Sequence, residues 1–491
     1  MSTQSRHGAP YDEVREQHDS RRVNAFTDDA LGTLDATGVA EEIRAGRISP
    51  SEAVDAAIAR VETVETVLGA VAAGDFQRAR RRAGHVPKGT SAPFAGVPTA
   101  IKDNVHVAGM PMRMGSDAVP DTVGESDGAF VKQYLSTGVV PIATTTCPPF
   151  GWTASTERPH GRVTRNPWAT GYSAGGSSGG SAALVASGAL PIAHGNDGGG
   201  SIRIPAAACG LVGLKVSRGR LLGDPTTDQA PIKIVVNGTL TRSVRDTAAF
   251  IAAAERYQPA AALPPIGLVE GPGARRVRIG MMLDSPAAAA TDAQTRAAVE
   301  AAGALLADLG HDVESDVTLP IPDFFKTDFE DYWGLLALAS AKQGKSLFGQ
   351  GFDAAKLDPL TLGLGAKAQR RLVRAPLYLA RLAATGLAAD RAFPAQLDLV
   401  LTPTLSHTTP AIGYLSGDLD YETHFARLPD YVGFTPLHNV TGQPSISLPL
   451  GRTDDGRPIG VMLSARKGQE RLLLELAFEL EAAAPFARID G

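Results

Sequence analysis

Two glycine and serine runs constrain this chain more than any other feature: GYSAGGSSGGSAA, Gly171 to Ala183, and HGNDGGGSIRIPAA, His194 to Ala207. Glycine gives backbone freedom where a chain must turn tightly or approach a ligand. A flexible linker would sit between domains in polar surroundings. These runs instead flank apolar segments, and the second leads straight into SIRIPAAACGLVGLKV. A phosphate loop also fits poorly. Gly175 and Gly180 have its spacing, but Ser181 and Ala182 follow where Lys and Ser/Thr are needed. Nucleophilic catalysis remains, in more than one form.

One form is a Ser-His-Asp esterase. GGSSGG satisfies the GxSxG pattern around both Ser177 and Ser178, but a nucleophile elbow needs a strand immediately before it. The preceding RNPWATGYSA is read as unable to form a buried strand. His407, His424 and His438 are the downstream histidines available, none in a recognisable context.

The rest of the chain reads as α/β. Ser49, Pro50 and Glu52 form a capping box for a helix whose Val54, Ile58, Val61, Val64 and Leu68 share one face. GVPTAIK, GVVPIATTT, GALPIAHG, GLVGLKV, VRIGMML, LDLVLTPT, PSISLPLG and GVMLSA read as buried strands. Helices are expected near 290–309 and 469–484, and a helical, aromatic-rich insertion over 320–395. Residues 1–25 read as an N-terminal tail, and 26–491 as one domain. The acidic and basic residues, 52 and 47, are interspersed, which gives no electrostatic footprint for nucleic acid. Two cysteines exclude a disulfide framework. No apolar run reaches the ~20 residues that span a bilayer. The protein is therefore expected in the cytoplasm.

The residues themselves resemble the amidase signature family. GGSSGGSAA followed by GNDGGGSIRIPAAACGLVGLK resembles its core, and FAGVPTAIKDNVHVAGMP its lysine motif. RSVRD, LTPT and NVTGQPSISLPLG extend the likeness over nearly the whole chain. The resemblance implies a single α/β/α domain around a mixed, mostly parallel sheet. It also implies a triad with Ser201 as nucleophile, Ser177 as bridging serine on a cis peptide, and Lys102 as ultimate base. The backbone of Gly198, Gly199 and Gly200 would form the oxyanion hole, supported by Ser178, Asp197 and Arg203. Independently, a serine needs a base to take its proton. A lysine serves as that base only if burial lowers its pKa from about 10.4; Val97, Ala100 and Ile101 suit this.

Where the family commonly reads GTDTGGS and LGKTNTPEFG, this chain has GNDGGGS and IATTTCPPFG, and where amidotransferase subunits of the family typically read IRQPA it has IRIPA. Cys147, Phe150, Trp152, His194, Asn196 and Trp333 are the candidate substrate contacts; of these, His194 reads first as a hydrogen-bonded core residue and only second as a contact. The expected substrate is a small hydrophobic amide: an oligoamide of the nylon type, an aryl acylamide or a carbamate. A glutamine-amidase subunit of an amidotransferase and a catalytically inactive binding protein are the competing readings. No metal or cofactor is expected. The partners expected are a small-molecule amide and, at most, a second copy in a homodimer, with neither nucleic acid nor membrane.

Overall fold

A computed structural model describes residues 21–491. The strands of its main sheet, in chain order, are β1 (Val71–Gly74), β2 (Pro98–Lys102), β3 (Val140–Thr145), β4 (Ile192–Asp197), β5 (Val212–Lys215), β6 (Val236–Thr241), β7 (Arg278–Met281), β8 (Asp312–Glu314), β9 (Leu399–Pro403), β10 (Ser445–Arg452) and β11 (Pro458–Ala465). They form one sheet in the spatial order β1-β3-β2-β4-β6-β5-β10-β11-β9-β7-β8. The helices that matter below are α1 (Pro50–Leu68), α2 (Gly179–Ala186), α3 (Arg203–Cys209), α4 (Val244–Tyr257), α5 (Ala293–Asp308), α6 (Phe325–Phe348), α7 (Pro359–Arg371), α8 (Ala375–Ala392), α9 (Tyr421–Tyr431), α10 (Pro436–Thr441) and α11 (Glu470–Ala483).

Strands β2, β3, β4, β5 and β9 are buried along their whole length. Helices therefore cover both faces of the sheet, and one apolar cluster runs from Ala25 to Leu480 through α1, α2, α4, α5 and α11. This is a single α/β domain. The capping box is present: Glu52 N donates to Ser49 Oγ, and the Glu52 carboxylate accepts from Ser49 N.

The sheet is mixed, but its expected parallel majority is not what forms. Only β3/β2, β2/β4, β9/β7 and β7/β8 run parallel. The pairings β1/β3, β4/β6, β6/β5, β5/β10, β10/β11 and β11/β9 are antiparallel. Uninterrupted apolar runs signal burial on both faces, which parallel sheets usually have. Here antiparallel strands are covered on both faces too, so the runs do not report direction.

One further reading needs correction. Ala169–Ser173, within RNPWATGYSA, is a largely buried strand after all. It lies outside the main sheet, in a two-stranded ribbon with Arg165–Asn166. The proposed tail lies outside the described residues up to 20, but its end is docked. Val23 N donates to Pro167 O at 2.8 Å and Ala25 N to Ser187 O at 2.7 Å.

The 320–395 stretch is helical, comprising α6, α7 and α8. Asp331 on α6 accepts from Arg371 on α7 at 2.8 Å, and Asp328 lies 3.7 Å from Arg381 on α8. Tyr332 turns inward, its hydroxyl donating to Ile232 O.

Candidate active site

Lys102 ends β2, a strand flanked on both sides by others. Its ammonium is wholly removed from water. Burial is the main cause that lowers its pKa to about 8, against the raising influence of Cys147 and Asp197. Nζ donates to Ser177 Oγ at 2.7 Å and to Asn196 Oδ1 at 2.8 Å. Ser177 follows a cis peptide from Gly176 and immediately precedes Ser178 and α2. Gly175 adopts φ +74°, and a Cβ there would meet the backbone of Pro205. Ser178 is buried and donates to Asn196 O at 3.3 Å.

The second serine, Ser201, sits in the turn between β4 and α3. Asp197 ends β4, and its carboxylate organises that turn. It accepts from Gly200 N at 2.7 Å and Ile202 N at 3.2 Å, and from Arg203 Nε at 2.9 Å and Nη2 at 2.8 Å. Burial alone would raise the Asp197 pKa, but the Arg203 guanidinium, also fully buried, holds it below the ordinary carboxylate range. Asn439 completes the network. Its Nδ2 donates to Asp197 O and Oδ1, both at 2.8 Å, and its Oδ1 accepts from Arg203 at 2.7 Å.

Gly200 departs from its expected role. Its N–H points inward to Asp197, not toward a substrate. With φ at +133°, a Cβ would also overlap Thr435 and Ile204. Gly198 and Gly199 do face the cavity, and Gly199 O accepts from Thr435 Oγ1 at 2.6 Å.

Ser177, Ser201, Asn196, Gly198 and Gly199 line one side of a cavity of about 560 Å³. Phe150, Trp152, Phe329 and Trp333 line it as well, so three of the expected aromatic contacts fall in its wall. Two expected contacts do not. Cys147 is buried outside the lining, its thiol against Asp103 O at 3.7 Å, and burial pushes that thiol to about 12. His194 lies behind Lys102, its Nδ1 accepting from Lys102 N at 3.3 Å and its ring 4.8 Å from that of Phe130. Burial lowers its pKa to about 3, so it stays neutral.

The esterase reading loses its base here. Among the described residues no histidine lines the cavity. His424 is bonded to Thr153, His407 to Thr408 O, and His438 lies beside Arg203. Asn104, Thr435 and Asn439 were not singled out from sequence. Asn439 lies within NVTGQPSISLPLG, but its bond to Asp197 joins residues far apart in the chain.

Residues 52–474 match the family model described as Amidase. The chain therefore belongs to that family, hydrolases acting on carbon–nitrogen amide bonds. It is 50% identical to "Putative amidase AmiC" of Mycobacterium leprae, over 96% of this chain and 99% of that one. It also resembles the solved structure of 6-aminohexanoate cyclic dimer hydrolase, with TM-score 0.81 and 32% identity over 95% of this chain and 99% of the other. A bacterial aryl acylamidase of the amidase signature enzymes superposes with TM-score 0.80 at 26% identity, over 92% and 96% of the two chains. No helix among the described residues is long and apolar enough to cross a membrane.

Proposed function

We propose that the protein hydrolyses a small, largely hydrophobic amide through an acyl-enzyme on Ser201. The observation that carries this reading is the buried Lys102 Nζ, 2.7 Å from Ser177 Oγ, with Ser177 and Ser201 both in the wall of one aromatic-lined cavity. Neutral Lys102 takes the Ser177 proton as Ser177 takes that of Ser201. Ser201 Oγ then bonds to the amide carbonyl carbon. The carbonyl oxygen becomes an oxyanion facing the N–H groups of Gly198 and Gly199, and each such donor is worth ~3–4 kcal/mol in the transition state. The proton returns from Lys102 through Ser177 to the nitrogen, the C–N bond breaks and the amine leaves. Water releases the acid by the same path.

The apolar lining favours an alkyl or aryl amide chain over glutamine, and Ile204 contributes to it where the amidotransferase pattern has glutamine. Linear or cyclic oligoamides, aryl acylamides and carbamates are the candidate substrates. Likeness to a cyclic dimer hydrolase and an aryl acylamidase supports this range. A panel of a cyclic oligoamide, an anilide, a carbamate, a short aliphatic amide and glutamine tests it. Turnover of anilide or aliphatic amide with little on glutamine is expected; preference for glutamine over every hydrophobic amide would refute it. Stoichiometric labelling of Ser201 by a phosphonofluoridate is expected of an active enzyme, and no labelling would favour an inactive binding protein.

A further inference from the structure

Thr435 stands at the N-terminus of α10, where a threonine hydroxyl ordinarily caps the helix. Its own does not. It makes no bond to the first turn of α10 and donates instead to Gly199 O at 2.6 Å. The side chain is wholly buried, and an added Cβ at Gly200 would overlap its hydroxyl. Gly433, two residues earlier, is anchored by Ser285 Oγ, which donates to its carbonyl at 2.7 Å. The hydroxyl is therefore delivered from a held loop. The opposite edge of the same peptide is fixed too, because Gly200 N donates to Asp197 Oδ1 at 2.7 Å. The Gly199–Gly200 peptide is thus clamped at both its oxygen and its N–H. The segment before it is not: among the described residues neither Gly198 N nor Gly199 N donates to a backbone carbonyl, and both glycines line the cavity. Successive glycines give this segment wide backbone freedom. Holding the peptide after Gly199 restricts how far the peptide before it can turn.

We propose that Thr435 is a positioning residue for the oxyanion hole: by holding Gly199 O it keeps the Gly199 N–H aimed at the carbonyl oxygen under attack. This rests on the acyl-enzyme reading above. Preorganised donors act on charge that develops in the transition state, so the hydroxyl contributes to kcat and leaves ground-state binding unaltered. A hydroxyl that merely satisfied a buried carbonyl would show in stability alone.

The test compares Thr435→Val, which keeps the branched shape, with Thr435→Ser, which keeps the hydroxyl. For a hydrophobic amide, kcat of Thr435→Val is expected to fall roughly tenfold or more with KM within about threefold, and Thr435→Ser to recover most of the loss. A trifluoromethyl ketone with the same acyl group accepts Ser201 Oγ at its carbonyl carbon and leaves an oxyanion in the same place. Its affinity is expected to fall in step with kcat/KM. A folded Thr435→Val with wild-type kcat, a rise in KM alone, or an unchanged ketone affinity overturns the proposal. Should Thr435→Val not fold, Thr435→Cys, with its weak S–H donor, is compared with Thr435→Ser; a lower kcat for the thiol is expected, and equal kcat overturns the proposal. A wild type that the ketone does not inhibit would overturn the acyl-enzyme reading and the proposal with it. Normal inhibition of wild type beside an indifferent Thr435→Val sinks the proposal alone.

Discussion

At the scale of single residues, the proposed mechanism makes the rate depend on the protonation state of Lys102. Burial disfavours its ammonium and brings the pKa to about 8. Only the neutral amine accepts a proton, so kcat/KM is expected to rise about tenfold per pH unit below 8 and level off above it. His194, lowered to about 3, adds no limb between pH 5 and 9. A pH–rate profile with a single ascending limb near 8 is the expected record; a limb near 6.5 would implicate a histidine. Lys102→Ala is expected to lose on the order of 10³ or more in kcat, Ser177→Ala somewhat less, and Ser201→Ala all turnover. Lys102, Ser177 and Ser201 were legible because each sits in a motif. The inward N–H of Gly200 and the Thr435 hydroxyl on Gly199 O were not, since both depend on a backbone angle or a side-chain direction that residue type does not specify.

At the scale of elements, the turn from β4 into α3 depends on one buried ion pair. Arg203→Met leaves the Asp197 carboxylate uncompensated in the core, and a destabilisation of about 3–5 kcal/mol is expected by denaturant unfolding. Asn439→Ala removes hydrogen bonds to the same carboxylate and should cost about 1–3 kcal/mol. Both effects should appear in stability before any assay of substrate preference. Most strands were legible because apolar runs such as LDLVLTPT stand out between turn residues. Strand β6, sequence VNGTLT, did not stand out, although it lies in the middle of the sheet between β4 and β5. Its Asn237 and Thr239 are buried polar residues, a pattern that resembles a loop until neighbouring strands supply its hydrogen bonds. Direction was illegible for the same reason: pairing partners lie far apart in sequence.

At the scale of the whole molecule, α6 closes over the cavity, with Phe325, Phe329 and Trp333 in its lining, and α7 and α8 pack against α6. Asp331 ties α6 to α7 through Arg371, so Asp331→Ala is expected to loosen this cover. Steady-state kinetics should show KM for a hydrophobic amide rising about three- to tenfold with a smaller change in kcat; unchanged KM would mean the cover is held without that pair. The insertion was legible as helical and aromatic, but not which rings would face inward: Tyr332 points to Ile232 instead. Lys102, Ser177 and Ser201 are held by β2, the turn into α2 and the turn from β4 into α3, whereas much of the apolar wall comes from a later, contiguous stretch of chain. What enters and what is done to it are therefore written in separate passages of the same sequence. Rewriting the later passage would give a different diet with the same proton route, and a chimera carrying another insertion would inherit the rate limb near pH 8 whatever it consumes.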